Sequence, residues 1–174
     1  YEPGRSIDEV VAEFGHHEVV KLASNENPLG ASPKALAILA GFKNDLHLYP
    51  DGNGTKLKEE IAGHEKVAFD NIILGNGSNE ILELAARAFL NPSTSAIASK
   101  HAFAVYKIVT QSSGASLKEV PACNWGHDLK SFEDYLDRST RVIFIANPNN
   151  PTGTYNNHQE VHSLLKKVPS SVLV

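Results

Sequence analysis

The chain has no methionine and one cysteine, Cys123, among its 174 residues. A single thiol excludes an intrachain disulfide, so nothing here demands an oxidising compartment, and the expected setting is the reducing cytoplasm. There is no block of basic residues, and the formal net charge is -4. That balance argues against nucleic acid and against a polybasic membrane patch, and leaves a small molecule as the expected partner. No apolar run approaches the roughly 20 residues that span a bilayer, and no stretch reads as a signal peptide. The histidines offer no pair backed by a carboxylate in metal-ligand register. His158 and His162 are four apart but read as a solvated helix face, so no metal site is expected. No G-x-S-x-G elbow occurs, which leaves Ser-His-Asp chemistry without support.

With 41% hydrophobic and 21% charged residues, the chain can bury one sizeable core, as one domain or a large piece of one. The ends suggest a piece. Tyr1 stands where an initiator methionine would, and the last residues, Ser170-Ser171-Val172-Leu173-Val174, read as a central strand cut short, so the chain is expected to be the front of a longer one.

Along the chain, Ser6 and Glu9 form a capping box that opens a helix ended by Gly15, and Pro33 behind a capping Ser32 opens another to about Gly41. A third helix starts at Thr55 and runs through Ala62. Helices are further predicted at 78–89, 103–111, 131–136 and 157–167, and strands at 19–22, 71–74, 95–98, 116–120, 141–146 and the chain end. From residue 71 onward strands alternate with helices, which implies an α/β fold: a three-layer, mostly parallel sheet with helices on both faces.

Three loops at strand ends carry the chemistry. The run Arg141-Val142-Ile143-Phe144-Ile145-Ala146 leads into Asn147-Pro148-Asn149-Asn150-Pro151-Thr152-Gly153, where prolines fix the backbone and asparagines hold amides in preset directions. Such stiffness suits a flat polar ligand, and equally a structural turn. Gly75-Asn76-Gly77-Ser78 enters a helix through a glycine-rich turn, where Ser78 can cap the helix and free N–H groups can bind a phosphate. No Lys-Ser or Lys-Thr follows, so it is no Walker loop, and Glu80 occupies the third glycine position of a dinucleotide fingerprint. Phe103, just after a strand, could stack on a planar ring, although Phe103 and Tyr106 also fit as two core aromatics on one helix face.

Taken in order, Leu22-Ala23-Ser24-Asn25-Glu26-Asn27-Pro28-Leu29-Gly30, Tyr49-Pro50-Asp51-Gly52, Gly75-Asn76-Gly77-Ser78-Asn79-Glu80, His101-Ala102-Phe103-Ala104-Val105-Tyr106 and the Asn147 to Gly153 loop closely resemble the histidinol-phosphate aminotransferases. These are class I/II, fold-type-I, pyridoxal-phosphate enzymes, and the resemblance covers essentially the whole chain. It implies an N-terminal arm and small-domain segment over 1–30 and the front of the large cofactor domain over 31–174. It implies that Gly77, Ser78 and Asn79 hold the cofactor phosphate, that Phe103 stacks on the pyridine ring, and that Asn150 donates to its phenolic oxygen. Tyr49 would reach a partner subunit's cofactor phosphate in a homodimer, with Asn25, Asn27 and Tyr1 at the substrate side. Asn79 stands where the family commonly has aspartate, which puts a side-chain role there in doubt.

The implied reaction is amino-group exchange between histidinol phosphate and 2-oxoglutarate, forming glutamate, in histidine biosynthesis. The alternatives are an aromatic amino acid aminotransferase of the same family and a non-catalytic phosphate-binding fragment. The Schiff-base lysine and the acid that pairs with the pyridinium are not identifiable in these residues. Lys100 does not match the family's lysine motif, so these 174 residues alone are expected to be inactive.

Overall fold

In a computed structural model, which describes residues 4–15, 19–42 and 46–174, β1 (Ser95–Ser99) is buried along its whole length. Its side chains alternate, Ala96 and Ala98 packing to one side and Ile97 to the other, so both faces of the sheet must be covered. β1 lies between β2 (Ser116–Val120) and β3 (Thr140–Ile143), parallel to both, in the order β2-β1-β3. Ser95 pairs with Ser116 and Ser99 with Val120, while the β3 ladder shifts register between Ser95 and Ala96.

Parallel neighbours need crossovers, and these supply the outer layers. On the first face Ala96, Ala98, Val142 and Phe144 pack against Ala86 of α4 (Gly77–Phe89) and against Val105, Tyr106 and Val109 of α5 (Ala104–Ser112). The Tyr106 ring stacks on Phe144, with centroids 4.7 Å apart and planes 7° from parallel. On the second face Ile97, Val120 and Ile143 meet Leu129, Phe132 of the 3-10 turn Ser131–Tyr135, and Leu164 of α6 (His158–Leu165). This is the α/β arrangement the alternating pattern implied.

The chain divides into two compact units, one ending at Ile72 and the other spanning Ile73–Val174, which holds the sheet. The first carries α1 (Ile7–Phe14), α2 (Pro33–Gly41) and α3 (Thr55–Glu65). α1 opens on the capping box of Ser6 and Glu9, and Gly15 closes it at φ 68°. Among the described residues no helix is long and apolar enough to cross a membrane.

Five local expectations are corrected. Residues 19–22 form no strand, and 71–74 follow a 3-10 turn, Phe69–Asn71, without joining the sheet. A β-branched run becomes a strand only where a neighbour completes its ladder, and among the described residues neither run has one. The helix at 131–136 is a 3-10 turn. The chain end contributes one bridge, Leu173 to Val142, held by Ile143 N–H donating to Leu173 O (2.8 Å) and Leu173 N–H donating to Arg141 O (2.9 Å). Ser32 makes no side-chain cap bond, Pro33 alone marking that start.

Candidate functional site

α4 precedes β1 and α5 follows it, so in a parallel unit both helices run back against the strands. Their N-termini therefore share an edge with the carboxyl ends of β1 and β3. Leu82, Ala102, Phe103 and Ala146 all pack on the first-face cluster, in keeping with that edge. The topology thus brings the Gly77 to Asn79 turn, Phe103 and Asn150 to one rim.

At the first of these, Asn76 is the residue before the helix and Gly77 sits at φ 73°, a conformation that disfavours any side chain. A Cβ on Gly77 would meet nothing within 4 Å among the described residues, so space lies open in front of it. The Gly77 N–H turns back to Gly75 O (2.9 Å), which leaves those of Ser78 and Asn79 facing out along the positive end of α4. Glu80 braces the turn: its Oε2 accepts from Asn76 N–H (2.5 Å) and from Asn76 Nδ2 (3.2 Å). Ser78 is not the cap. It lies one residue inside the helix, because the left-handed Gly77 already starts the first turn.

Phe103 and Tyr106, which share a helix stripe in sequence, part company in space. Tyr106 is buried, and that burial pushes its phenol pKa up. Phe103 is half-buried at the mouth of α5, edge-on to Tyr106 at 5.8 Å and 89°, and lines a cavity of about 80 Å³ with Ser99, His101 and Leu117.

The asparagine-proline loop is fastened from within and to its neighbour. Asn149 N–H donates to Thr154 O (2.8 Å) and Gly153 N–H to Asn149 O (2.7 Å). Asn147 and Asn156 exchange two bonds of 2.8 Å, the Asn147 amide donating to Asn156 O and accepting from Asn156 N–H. Asn149, 4% exposed, donates through Nδ2 to His101 O (3.2 Å) and Thr152 Oγ1 (2.7 Å), while its buried Oδ1 has no partner among the described residues. The peptide bonds before Pro148 and Pro151 are cis, and Asn150 is half-buried.

Tyr49, Asn25 and Asn27 lie in the other compact unit. Tyr49 is fully exposed. Near it, the Thr55 and Asn53 N–H groups hold the Asp51 carboxyl below its usual range. Asn25 adopts φ 52°. Asn27 spends its amide locally, accepting from Leu29 N–H and donating to Gly30 O, each at 3.0 Å. Tyr1 lies outside the described residues. Among the described residues no three His, Cys, Asp or Glu side chains are grouped to hold a metal.

Sequence reasoning passed over His127 and Asn149. The His127 ring is buried and bonded at both nitrogens, to Ser99 Oγ (2.7 Å) and Ala146 O (2.8 Å). A larger cavity of about 670 Å³, lined in part by His127, Asp128, Lys130, Tyr155, Glu160 and Lys167, contains none of the residues expected from the sequence.

Residues 17–174 match the family profile of aminotransferase class I and II. The chain belongs to that family. A histidinol-phosphate aminotransferase 2 of Pseudomonas fluorescens is 54% identical over 176 residues, taking in all of this chain and 48% of its own length. Its namesake in Pseudomonas aeruginosa is 51% identical with the same coverage. The chain therefore spans about half the length of these curated aminotransferases. The fold superposes with a TM-score of 0.89 on a histidinol-phosphate aminotransferase of Sinorhizobium meliloti solved in complex with pyridoxal-5'-phosphate, at 21% identity over 99% of this chain and 47% of that one. The enzyme of Clostridium acetobutylicum gives a TM-score of 0.71 at 30% identity, over 82% of this chain and 42% of its own.

Proposed function

We propose that this chain is the front portion of a cytoplasmic, homodimeric, pyridoxal-phosphate-dependent histidinol-phosphate aminotransferase, exchanging the amino group of histidinol phosphate with 2-oxoglutarate. What supports this is the topology, which implies one rim for the Gly77 turn, Phe103 and the Asn150 loop, with the Asn149 to His101 bond joining the last two. The open space before Gly77, with two outward N–H groups at a helix N-terminus, fits a phosphate. An aromatic beside a small cavity and a rigid carboxamide loop fit a flat, oxygen-bearing ring. In this reading residues 1–30 are the arm and small-domain segment, and residues 31–174 begin the cofactor domain.

When bound, the cofactor supplies an electron sink for amino-group exchange. The chain's own task is to hold it. Ser78 and Asn79 would bind the phosphate through their outward N–H groups, with Gly77 leaving the space for it open, and Asn79, uncharged where an aspartate would add a negative charge, would not repel it. Phe103 covers the ring face and excludes water from it. Asn150 would donate to the ring oxygen and orient the ring. Tyr49 serves the partner subunit's phosphate, and Asn25, Asn27 and Tyr1 lie at the substrate side. The lysine that bonds the cofactor belongs to the part of the enzyme beyond these residues, which by themselves would hold cofactor without turnover.

The test is the full-length gene product with histidinol phosphate and 2-oxoglutarate. Turnover that prefers histidinol phosphate over phenylalanine and tyrosine supports the reading; a preference for the aromatic amino acids replaces it with the aromatic aminotransferase. Loss of cofactor affinity in Gly77→Ala, whose methyl would enter the phosphate space, and in Asn150→Ala would support the residue roles.

A further inference from the structure

His127 comes from the loop between β2 and the Ser131–Tyr135 turn, yet its ring reaches the carboxyl ends of both other strands. Its Nε2 lies 2.8 Å from Ala146 O, just past β3, and its Nδ1 lies 2.7 Å from Ser99 Oγ, the last residue of β1. A carbonyl only accepts, so Nε2 carries a proton in either charge state; in the neutral ring Nδ1 then accepts from the Ser99 hydroxyl. The His127 carbonyl accepts in turn from Asn156 Nδ2 (3.2 Å), and Asn156 is the residue that locks Asn147. Ser99 lies four positions ahead of Phe103, and Ala146 four ahead of Asn150. One imidazole thus ties together the roots of the two arms that carry the ring-covering and oxygen-donating candidates.

We propose that His127 is a positioning residue that sets the separation of Phe103 and Asn150, and so the fit of the cofactor ring between them. This rests on the proposed cofactor site. The ring's hydrogen bonds go to neither Phe103 nor Asn150, and it acts through Ser99 and Ala146. A hydrogen-bonded ring suits the role because both bonds are directional and the residue is only 5% exposed, so water does not compete for them.

The experiment uses the full-length protein and compares His127→Phe, which keeps a ring and loses both bonds, with His127→Gln, which keeps a donor for Ala146, and His127→Asn, which keeps an acceptor for Ser99. Leu164→Ala, a core change in the cluster beside it, serves as a stability control. Pyridoxal phosphate affinity of the apoprotein, the absorbance band of the bound cofactor and amide hydrogen exchange are recorded for each. We expect His127→Phe to bind roughly tenfold or more weaker, the size of effect that small misplacements produce, with a shifted band and faster exchange in both 100–103 and 147–153. His127→Gln should recover much of this, and Leu164→Ala should lose stability with affinity and band unchanged. Wild-type affinity and band in His127→Phe, or faster exchange confined to one of the two loops, would overturn the proposal. A wild-type protein that does not bind pyridoxal phosphate would instead defeat the cofactor reading, and the exchange data alone would then decide whether His127 couples the loops.

Discussion

Asn149 Nδ2 donates to the carbonyl of His101 across 3.2 Å, joining two loops whose residues are 48 apart in sequence. The same nitrogen reaches Thr152 Oγ1, so one buried amide serves both arms of the rim. Replacing it with alanine strips a donor from each acceptor at a part-buried site. Asn149→Ala should therefore cost about 1–3 kcal/mol, read from urea denaturation midpoints. Asn149→Asp should cost more, because it sets a carboxylate oxygen against the His101 carbonyl. Equal stability of all three proteins would mean that this bridge contributes nothing.

Gly77 and Gly114 both have positive φ, 73° and 72°, but differ in what a methyl would meet. At Gly77 nothing among the described residues lies within 4 Å, so Gly77→Ala bears only the backbone penalty of about 1–2 kcal/mol. At Gly114 the methyl would lie 3.0 Å from Cγ of the rigid Pro92 ring, which adds a clash to the same penalty. Thermal melts should show Gly114→Ala as the less stable. Pyridoxal phosphate titration should show the reverse order of damage, since only the Gly77 methyl enters the proposed phosphate space.

The start of α1 was legible from the capping box of Ser6 with Glu9, three positions on, and β1 from an apolar run between turn residues, whereas the caps expected at Ser32 and Ser78 were not formed. The loops of the proposed site stood out for the same reason, because glycine and proline advertise their backbone demands within a few residues. The strand anticipated at 71–74 was not decidable that way, since its fate rests on a ladder partner. His127 was illegible for a related reason: its partners, Ser99 and Ala146, lie 28 and 19 residues off, and a lone histidine in a polar loop carries no periodic signal.

Phe132 and Phe103 separate packing from the proposed site. Phe132 is fully buried in the second-face cluster, so Phe132→Ala should cost about 3–5 kcal/mol. Phe103 is half-buried and touches Tyr106 edge-on, so Phe103→Ala should cost clearly less while impairing cofactor binding more. Paired denaturation and titration curves check both. A Phe103→Ala protein with unaltered affinity would remove this ring from the cofactor reading.

Asp137 gives a prediction in pH. Lys118 Nζ donates to its carboxylate at 2.7 Å, and Ser139 adds hydrogen bonds from its hydroxyl (2.7 Å) and its N–H (2.9 Å), so the Asp137 pKa is held well below the usual carboxylate range, with the lysine as the largest cause. A folded-state pKa below the unfolded value means that the folded state favours the ionised form. The stabilisation is then complete above the unfolded aspartate pKa, about 4, and fades as pH falls from there through the folded value. Asp137→Asn should accordingly be less stable than the parent at pH 7, with the difference shrinking below about pH 4. Because Asp137 is exposed, added salt should narrow the difference at pH 7 as well. Urea midpoints for the two proteins at pH 7, 5, 4 and 3 provide the check: a gap that stays constant across the series would trace the effect to the hydrogen bonds that asparagine also loses or keeps, rather than to the charge that binds Lys118.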